Sequence, residues 1–224
     1  MTEDNKASKP IIGYWKIRGL VAGINYQLAY SKVDYDQEQY EQGDAPDFSC
    51  APWTDVKFNL NLTFPNLPYL KDGDFTLTET SAIHRYCAKK WCPELLCLDD
   101  DEMYGKAEMA WGIFNDIKQF VTGPCYGGNG DKAALWEMTC PRLETVAKLL
   151  GGQKFLAGEK VCCADFQFAE LVDMIDFISG GDIYKVYPVM KEYKERVFGL
   201  PGVKECYEEC SKLTFNNKCG KINN

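Results

Sequence analysis

Phe64-Pro65-Asn66-Leu67-Pro68-Tyr69-Leu70-Lys71-Asp72-Gly73-Asp74-Phe75-Thr76-Leu77-Thr78-Glu79-Thr80-Ser81 is the stretch on which the fold turns. Two short apolar runs flank Asp72-Gly73, a dipeptide that tolerates the positive φ angles of a tight turn, so the segment reads as a β-hairpin. Pro68 opens the first strand, where a missing N–H is tolerated. A helix is predicted from Glu79-Thr80-Ser81 to about Lys90, with Ser or Thr at its start. The Leu67–Pro68 bond has two readings. A cis peptide would turn the backbone and present the polar groups of Leu67, whereas a trans proline would simply end a loop.

Outward toward the N-terminus, Asp34 to Tyr40 is polar but strand-like, suited to an edge, and Glu41 to Pro52 is a long loop rich in Gly, Asp, Pro and Ser. Leu20, Ile24 and Leu28 recur at spacing four and mark a helix, and Pro10 to Trp15 reads as a strand before it. Residues 10–90 thus form an α/β module. Residues 91–102 read as a linker ending in an acidic helix start. Beyond it strand signals vanish, and helices are predicted over Met103–Thr122, Lys132–Leu150, Asp165–Ser179 and Pro188–Phe198. Breaks fall at Gly123-Pro124, Gly127-Gly128, Gly151-Gly152, Gly180-Gly181 and Gly199-Leu200-Pro201. The division is therefore a disordered tail over 1–9, an α/β domain over 10–90, a linker over 91–102 and an all-helical domain over 103–224.

Composition narrows the function. The 224 residues carry 25 Lys plus Arg against 33 Asp plus Glu, a net charge of −8. A chain that binds phosphate backbones needs a basic surface, so nucleic acid is not an expected partner. No apolar run reaches the roughly 18 residues a membrane helix needs, and the polar start MTEDNKASK lacks the apolar core of a secretory signal. A cytoplasmic location is expected. The 11 cysteines are odd in number, form no CxxC pair and have one histidine, His84, for company. Reduced, mostly buried thiols are expected, with no metal site.

Three places could carry chemistry. Tyr14 ends the first strand, where α/β modules present functional side chains; its hydroxyl could donate to an anion, or Tyr14 and Trp15 could be packing residues. Glu79-Thr80-Ser81 opens a helix whose free N–H groups suit a carboxylate or phosphate, or it is an ordinary cap. Asn66-Leu67-Pro68 could offer backbone groups to a peptide-like ligand in strand fashion.

Taken together, Pro10-Ile11-Ile12-Gly13-Tyr14-Trp15-Lys16-Ile17-Arg18-Gly19-Leu20, Gly43-Asp44-Ala45-Pro46-Asp47 and Phe64 to Leu70 resemble the cytosolic glutathione transferases, nearest the mu class, with the likeness running from about Pro10 to Ser211. The resemblance implies a thioredoxin-like first domain and an all-helical second domain carrying the electrophile site. It implies an enzyme that conjugates glutathione to hydrophobic electrophiles in detoxification. Glutathione is then a substrate, and no cofactor is called for. Tyr14 would hydrogen-bond the glutathione sulfur. Trp15, Leu20, Trp53, Lys57, Asn66, Leu67, cis Pro68, Glu79 and Thr80 would line the glutathione site. Asp116 of the partner subunit would meet the glutathione amino group, in a homodimer. Tyr126 would face the electrophile. Phe64 would be an aromatic key inserted into the partner; the residue reading alone also allows a core Phe on the alternation Phe58, Leu60, Leu62, Phe64.

The chemistry suits these residue types. A free thiol has a pKa near 8.5, and a hydrogen bond donated to the charged sulfur favours ionisation by about 1.4 kcal/mol per unit of depression. Four features depart from the mu pattern. Cys50 stands where an Arg is usual, Glu79 where Gln is usual, and Cys162 where Ser or Thr caps a helix. The tail after Ser211 is short, which predicts a more open electrophile pocket. The other classes compatible with this sequence are a non-catalytic binder of hydrophobic ligands or scaffold on the same fold, and a glutathione-dependent isomerase.

Overall fold

The computed structural model describes residues 9–223. The disorder expected over residues 1–8 lies outside the described residues; at Lys9 the ammonium stands 2.8 Å from Asp34. The first half folds in the order β1 (Ile11–Trp15), α1 (Val21–Tyr30), β2 (Asp36–Tyr40), α2 (Ala51–Thr54), β3 (Tyr69–Asp72), β4 (Phe75–Thr78) and α3 (Thr80–Trp91). Its sheet has the order β2-β1-β3-β4, with β1 and β2 parallel and the other pairs antiparallel. The hairpin turns at Gly73, whose φ of +60° is one that L side chains rarely adopt. β2 lies at the edge, which is why its sequence, Asp36-Gln37-Glu38-Gln39-Tyr40, is polar.

The second half is helical: α4 (Asp101–Gly127), α5 (Lys132–Thr139), α6 (Glu144–Leu150), α7 (Cys163–Ser179), α8 (Asp182–Val186), α9 (Pro188–Phe198) and α10 (Val203–Cys210). α7 is buried without interruption from Cys163 to Ile175, because it packs on α1, α4, α5 and α9 at once. At its start Asp165 is fully buried, accepting from the N–H groups of Cys162 (2.8 Å) and Leu156 (2.9 Å) and from the Tyr193 hydroxyl (2.8 Å). α1 is buried from Val21 to Leu28, sandwiched between the sheet and α7. The two cores meet along this helix: Ile24 and Leu28 belong to the sheet side, Ala22 and Tyr26 to the helical side. Burial of a side chain the size of Ile24 or Leu28 contributes about 1.5–3 kcal/mol.

Several boundaries differ from those read in the sequence. α4 does not stop at Gly123-Pro124 but carries Pro124 inside it and ends at Gly127. A proline lacks only its own N–H, and the turn beyond it is held by the Gly128 N–H donating to Pro124 O at 2.9 Å. The helix expected over 132–150 is divided by a 3₁₀ turn at Cys140–Leu143, with Pro141 in its first turn. α2 interrupts the long loop, and α8 and α10 are additional; α10 reads as charged because only Val203 and Cys210 of its eight residues are buried. At the start of α3 neither Ser nor Thr caps: the position before the helix is Glu79, at φ +73°, with no side-chain cap.

All 11 cysteines are free thiols, and seven are buried. Among the described residues no helix is long and apolar enough to cross a membrane.

Candidate active site

The sheet register gathers the sequence-nominated residues at one end of the first domain. β1 and β3 pair Gly13 with Tyr69, and β3 and β4 pair Tyr69 with Thr78. Continued by one residue, these registers set Tyr14, Pro68 and Glu79 abreast; by two, Trp15, Leu67 and Thr80. The Leu67–Pro68 peptide is cis. Leu67 is buried, and its N–H donates to Asn66 Oδ1 at 2.9 Å, so the neighbouring side chain occupies a donor that the sequence left open to a ligand. Trp15 meets Tyr40 edge-on at 6.4 Å, and Trp53, on α2, stacks against Tyr69 with ring centres 6.1 Å apart. Lys57 stands over the Phe58 ring at 4.9 Å. The Glu79 side chain makes no capping hydrogen bond at the start of α3, so none of the first-turn N–H groups near Thr80 is taken by it.

Beside this sheet end, a cavity of about 300 Å³ opens between the domains. From the first domain Tyr14, Ile17, Gly19 and Leu20 line it; of the residues nominated from sequence, it contains Tyr14, Leu20 and Tyr126. The Leu20 N–H donates to the Tyr14 hydroxyl oxygen at 3.1 Å. An oxygen held as acceptor keeps its proton free to donate elsewhere. Burial pushes the Tyr14 pKa up to about 12, against the opposing Leu20 hydrogen bond, so the hydroxyl stays protonated near neutrality. Gly19 makes this approach possible: at φ +41°, a Cβ there would lie 2.8 Å from the Tyr14 ring and hydroxyl.

Helical stripes supply the other walls. On α4, Phe114, Lys118, Thr122 and Tyr126 follow one another at spacing four, and on α7 Gln167, Glu170, Leu171 and Met174 repeat at three and four. Sequence reading found only Tyr126 of these, although both stripes are visible as helical periodicities. Glu170 is fully buried. Its Oε2 accepts from Arg18 at 2.8 Å and from the Tyr26 hydroxyl at 2.8 Å, yet burial outweighs Arg18 and raises its pKa to about 7. Arg18 also binds Asp173 and lies over the Phe215 ring at 4.0 Å.

The tail closes the remaining side. Phe215 and Asn216 line the cavity, so the tail, short as it is, supplies part of the wall. The chain doubles back: the N–H groups of Arg18 and Gly19 donate to the carbonyls of Thr214 (2.8 Å) and Phe215 (3.2 Å), and the Asn217 N–H donates to the Tyr126 hydroxyl oxygen at 2.9 Å. Further on, Lys218 pairs with Glu41 and Asp44. The Gln42 amide lies 3.5 Å from the Cys50 sulfur and 3.4 Å from that of Cys219. Nothing in the composition of Leu213 to Asn217 announces this wall; it depends on where the first domain offers free N–H groups.

Two nominated residues face outward. Asp116 is exposed on α4, and Phe64 is 72% exposed, which excludes the core reading of that side chain.

Comparison with known proteins agrees with this architecture. The family model "Glutathione S-transferase, N-terminal domain" matches residues 10–89, and "Glutathione S-transferase, C-terminal domain" matches residues 115–209. A glutathione S-transferase of Dermatophagoides pteronyssinus is 35% identical over 96% of this chain and 98% of its own. Glutathione S-transferase Mu 5 of Rattus norvegicus is 32% identical over 96% and 95%. The crystal structure of the glutathione S-transferase Blo t 8 superposes with a TM-score of 0.85 at 26% identity, covering 95% of this chain and 99% of that one. With both halves matched and relatives above 30% identity along nearly the whole length, the chain belongs to the glutathione S-transferase family, with named relatives in its mu class.

Proposed function

We propose that the protein binds glutathione across the sheet end formed by Trp15, Trp53, Lys57, Asn66, Leu67, Glu79 and Thr80. Tyr14 then holds the sulfur as thiolate while an apolar electrophile enters the cavity beside Tyr126. The observation that carries this reading is the Tyr14 hydroxyl, fixed from behind by the Leu20 N–H and kept protonated by burial at the mouth of an apolar cavity. A donor so placed stabilises a sulfur anion at no cost in reorganisation. The first turn of α3 and Lys57 supply the positive potential that an anionic tripeptide requires.

With an activated aryl chloride, the thiolate pair forms the carbon–sulfur bond, the nitro-substituted ring takes the charge, chloride leaves with the bonding pair, and the thiol proton has already passed to solvent. Detoxification of hydrophobic electrophiles is the role this chemistry suits. The exposed Phe64 supports a homodimer in which the key enters the partner, with Asp116 of the partner subunit meeting the glutathione amino group. Free thiols support a reducing, cytoplasmic setting.

The test is conjugation of glutathione to chlorodinitrobenzene by wild type and Tyr14→Phe. A fall in kcat of about 10²-fold or more, with glutathione still bound and its thiol pKa raised, is expected. Equal loss of binding and turnover would remove the assigned role.

A further inference from the structure

We infer that the electrophile taken by this cavity carries a carboxylate, received by Lys118, so that the enzyme selects anionic over neutral electrophiles of the same shape. The inference rests on the conjugation reading above and names the substrate class of that site.

Lys118 is the only cation among the described residues that line the cavity. It stands on the α4 stripe between Phe114, 2% exposed at one end, and Tyr126, 37% exposed at the other. At 1.5 Å per residue it lies about 6 Å along the helix axis from Phe114 and about 12 Å from Tyr126. A molecule reacting at Tyr14 and lying toward α4 faces Lys118, because both residues line the one cavity.

The side chain is half-buried, and no carboxylate stands within ion-pair distance of it among the described residues; burial holds its pKa below the ordinary lysine value. Several other partly buried cations are matched, although Lys57, half-buried at the sheet end, also has no ion pair among the described residues. Arg18 is paired with Glu170 and Asp173, Arg85 with Glu108, and Lys194 with Asp173 and Asp176. An ammonium drawn from water without a partner is unfavourable for the free protein and is repaid when an anion arrives. Two acids bear on the site. Glu170 lines the same cavity; its Oε2 is committed to Arg18 and Tyr26, and its Oε1 has no hydrogen-bond partner, so Arg18 offsets its charge while Lys118 stands beyond ion-pair distance. Glu79, at the start of α3, acts on Lys118 only through a longer-range attraction. The cation is therefore available to a ligand, and the apolar walls of Phe114, Leu171 and Met174 offer it no competing polar group.

A matched pair of probes tests this: 4-chloro-3,5-dinitrobenzoate and its neutral methyl ester, each conjugated to glutathione and normalised to its uncatalysed rate. Wild type should prefer the acid. Lys118→Met should lower the acid-to-ester ratio of kcat/KM at least tenfold, chiefly through the KM of the acid, and Lys118→Arg should retain most of the preference. An unchanged ratio in Lys118→Met overturns the inference, as does a rise in the KM for glutathione that is the same with both probes, which would assign the cation to glutathione. Binding of unreactive 3,5-dinitrobenzoate, followed by tryptophan fluorescence, separates the two layers. If neither probe is turned over but the anion binds at least tenfold more weakly to Lys118→Met, the conjugation reading falls and the anion site stands. If that binding is also indifferent to Lys118, the anion site falls too.

Discussion

The Tyr14 hydroxyl oxygen and the Leu20 N–H meet at 3.1 Å across a turn that only Gly19 allows, and this contact determines which way the phenolic proton can point. Gly19→Ala places a methyl group against the Tyr14 ring at a backbone angle unfavourable to any side chain. It is expected to lower kcat/KM for chlorodinitrobenzene at least tenfold and to cost on the order of 1–2 kcal/mol of stability. Kinetics and urea unfolding on one preparation check both.

Arg18 neutralises Glu170 and Asp173 inside the interface between the two domains. Arg18→Met leaves two buried acids without their cation and is expected to cost about 3–5 kcal/mol, measured by chemical unfolding. Adding Glu170→Gln should restore part of that loss, since one of the orphaned charges is then gone.

His84 is fully buried, and burial lowers its pKa to about 4 from a usual 6.5, so the folded protein holds it neutral. A depressed histidine favours folding above the unfolded pKa and loses that contribution as pH falls from about 6.5 toward 4. Wild type should therefore lose stability relative to His84→Gln on going from pH 7 to pH 5, by on the order of 2 kcal/mol. Thermal unfolding of both proteins at the two pH values, compared as a difference, cancels the contribution of Glu170.

Phe64 exposes 72% of its surface in the single chain. Phe64→Ser should leave the fold and its unfolding midpoint at low protein concentration unchanged while shifting wild-type dimer to monomer in sedimentation velocity. If wild type itself sediments as a monomer, the key has no partner to enter.

Much of this architecture was legible because local chemistry determines it. Asp72-Gly73 specifies its own turn, the polarity of Asp36 to Gln39 marks an edge, and strand signals cease where the helices begin. The row Tyr14, Pro68, Glu79 was legible only as separate motifs, since the register that sets them abreast is a long-range property. Pro124 misled because a proline near a helix end removes one bond and leaves the following turn intact. Lys118, Gln167 and Glu170 were missed for a different reason. A polar residue on a helix reads as solvent-facing until the neighbouring helix and the tail enclose it. Phe215 carries no local mark at all; its place depends on the N–H groups of Arg18 and Gly19, almost the whole chain away.

The way the tail is held has a practical side. Residues 213–217 close the cavity through a few backbone hydrogen bonds and contribute only Phe215 to the larger core. A protease that nicked the chain just after α10 would cut outside every helix of the described residues, and the product should keep most of its circular dichroism. What it would lose is discrimination between one electrophile and another. The intact mass of a preparation should therefore be known before any substrate profile is attributed to it.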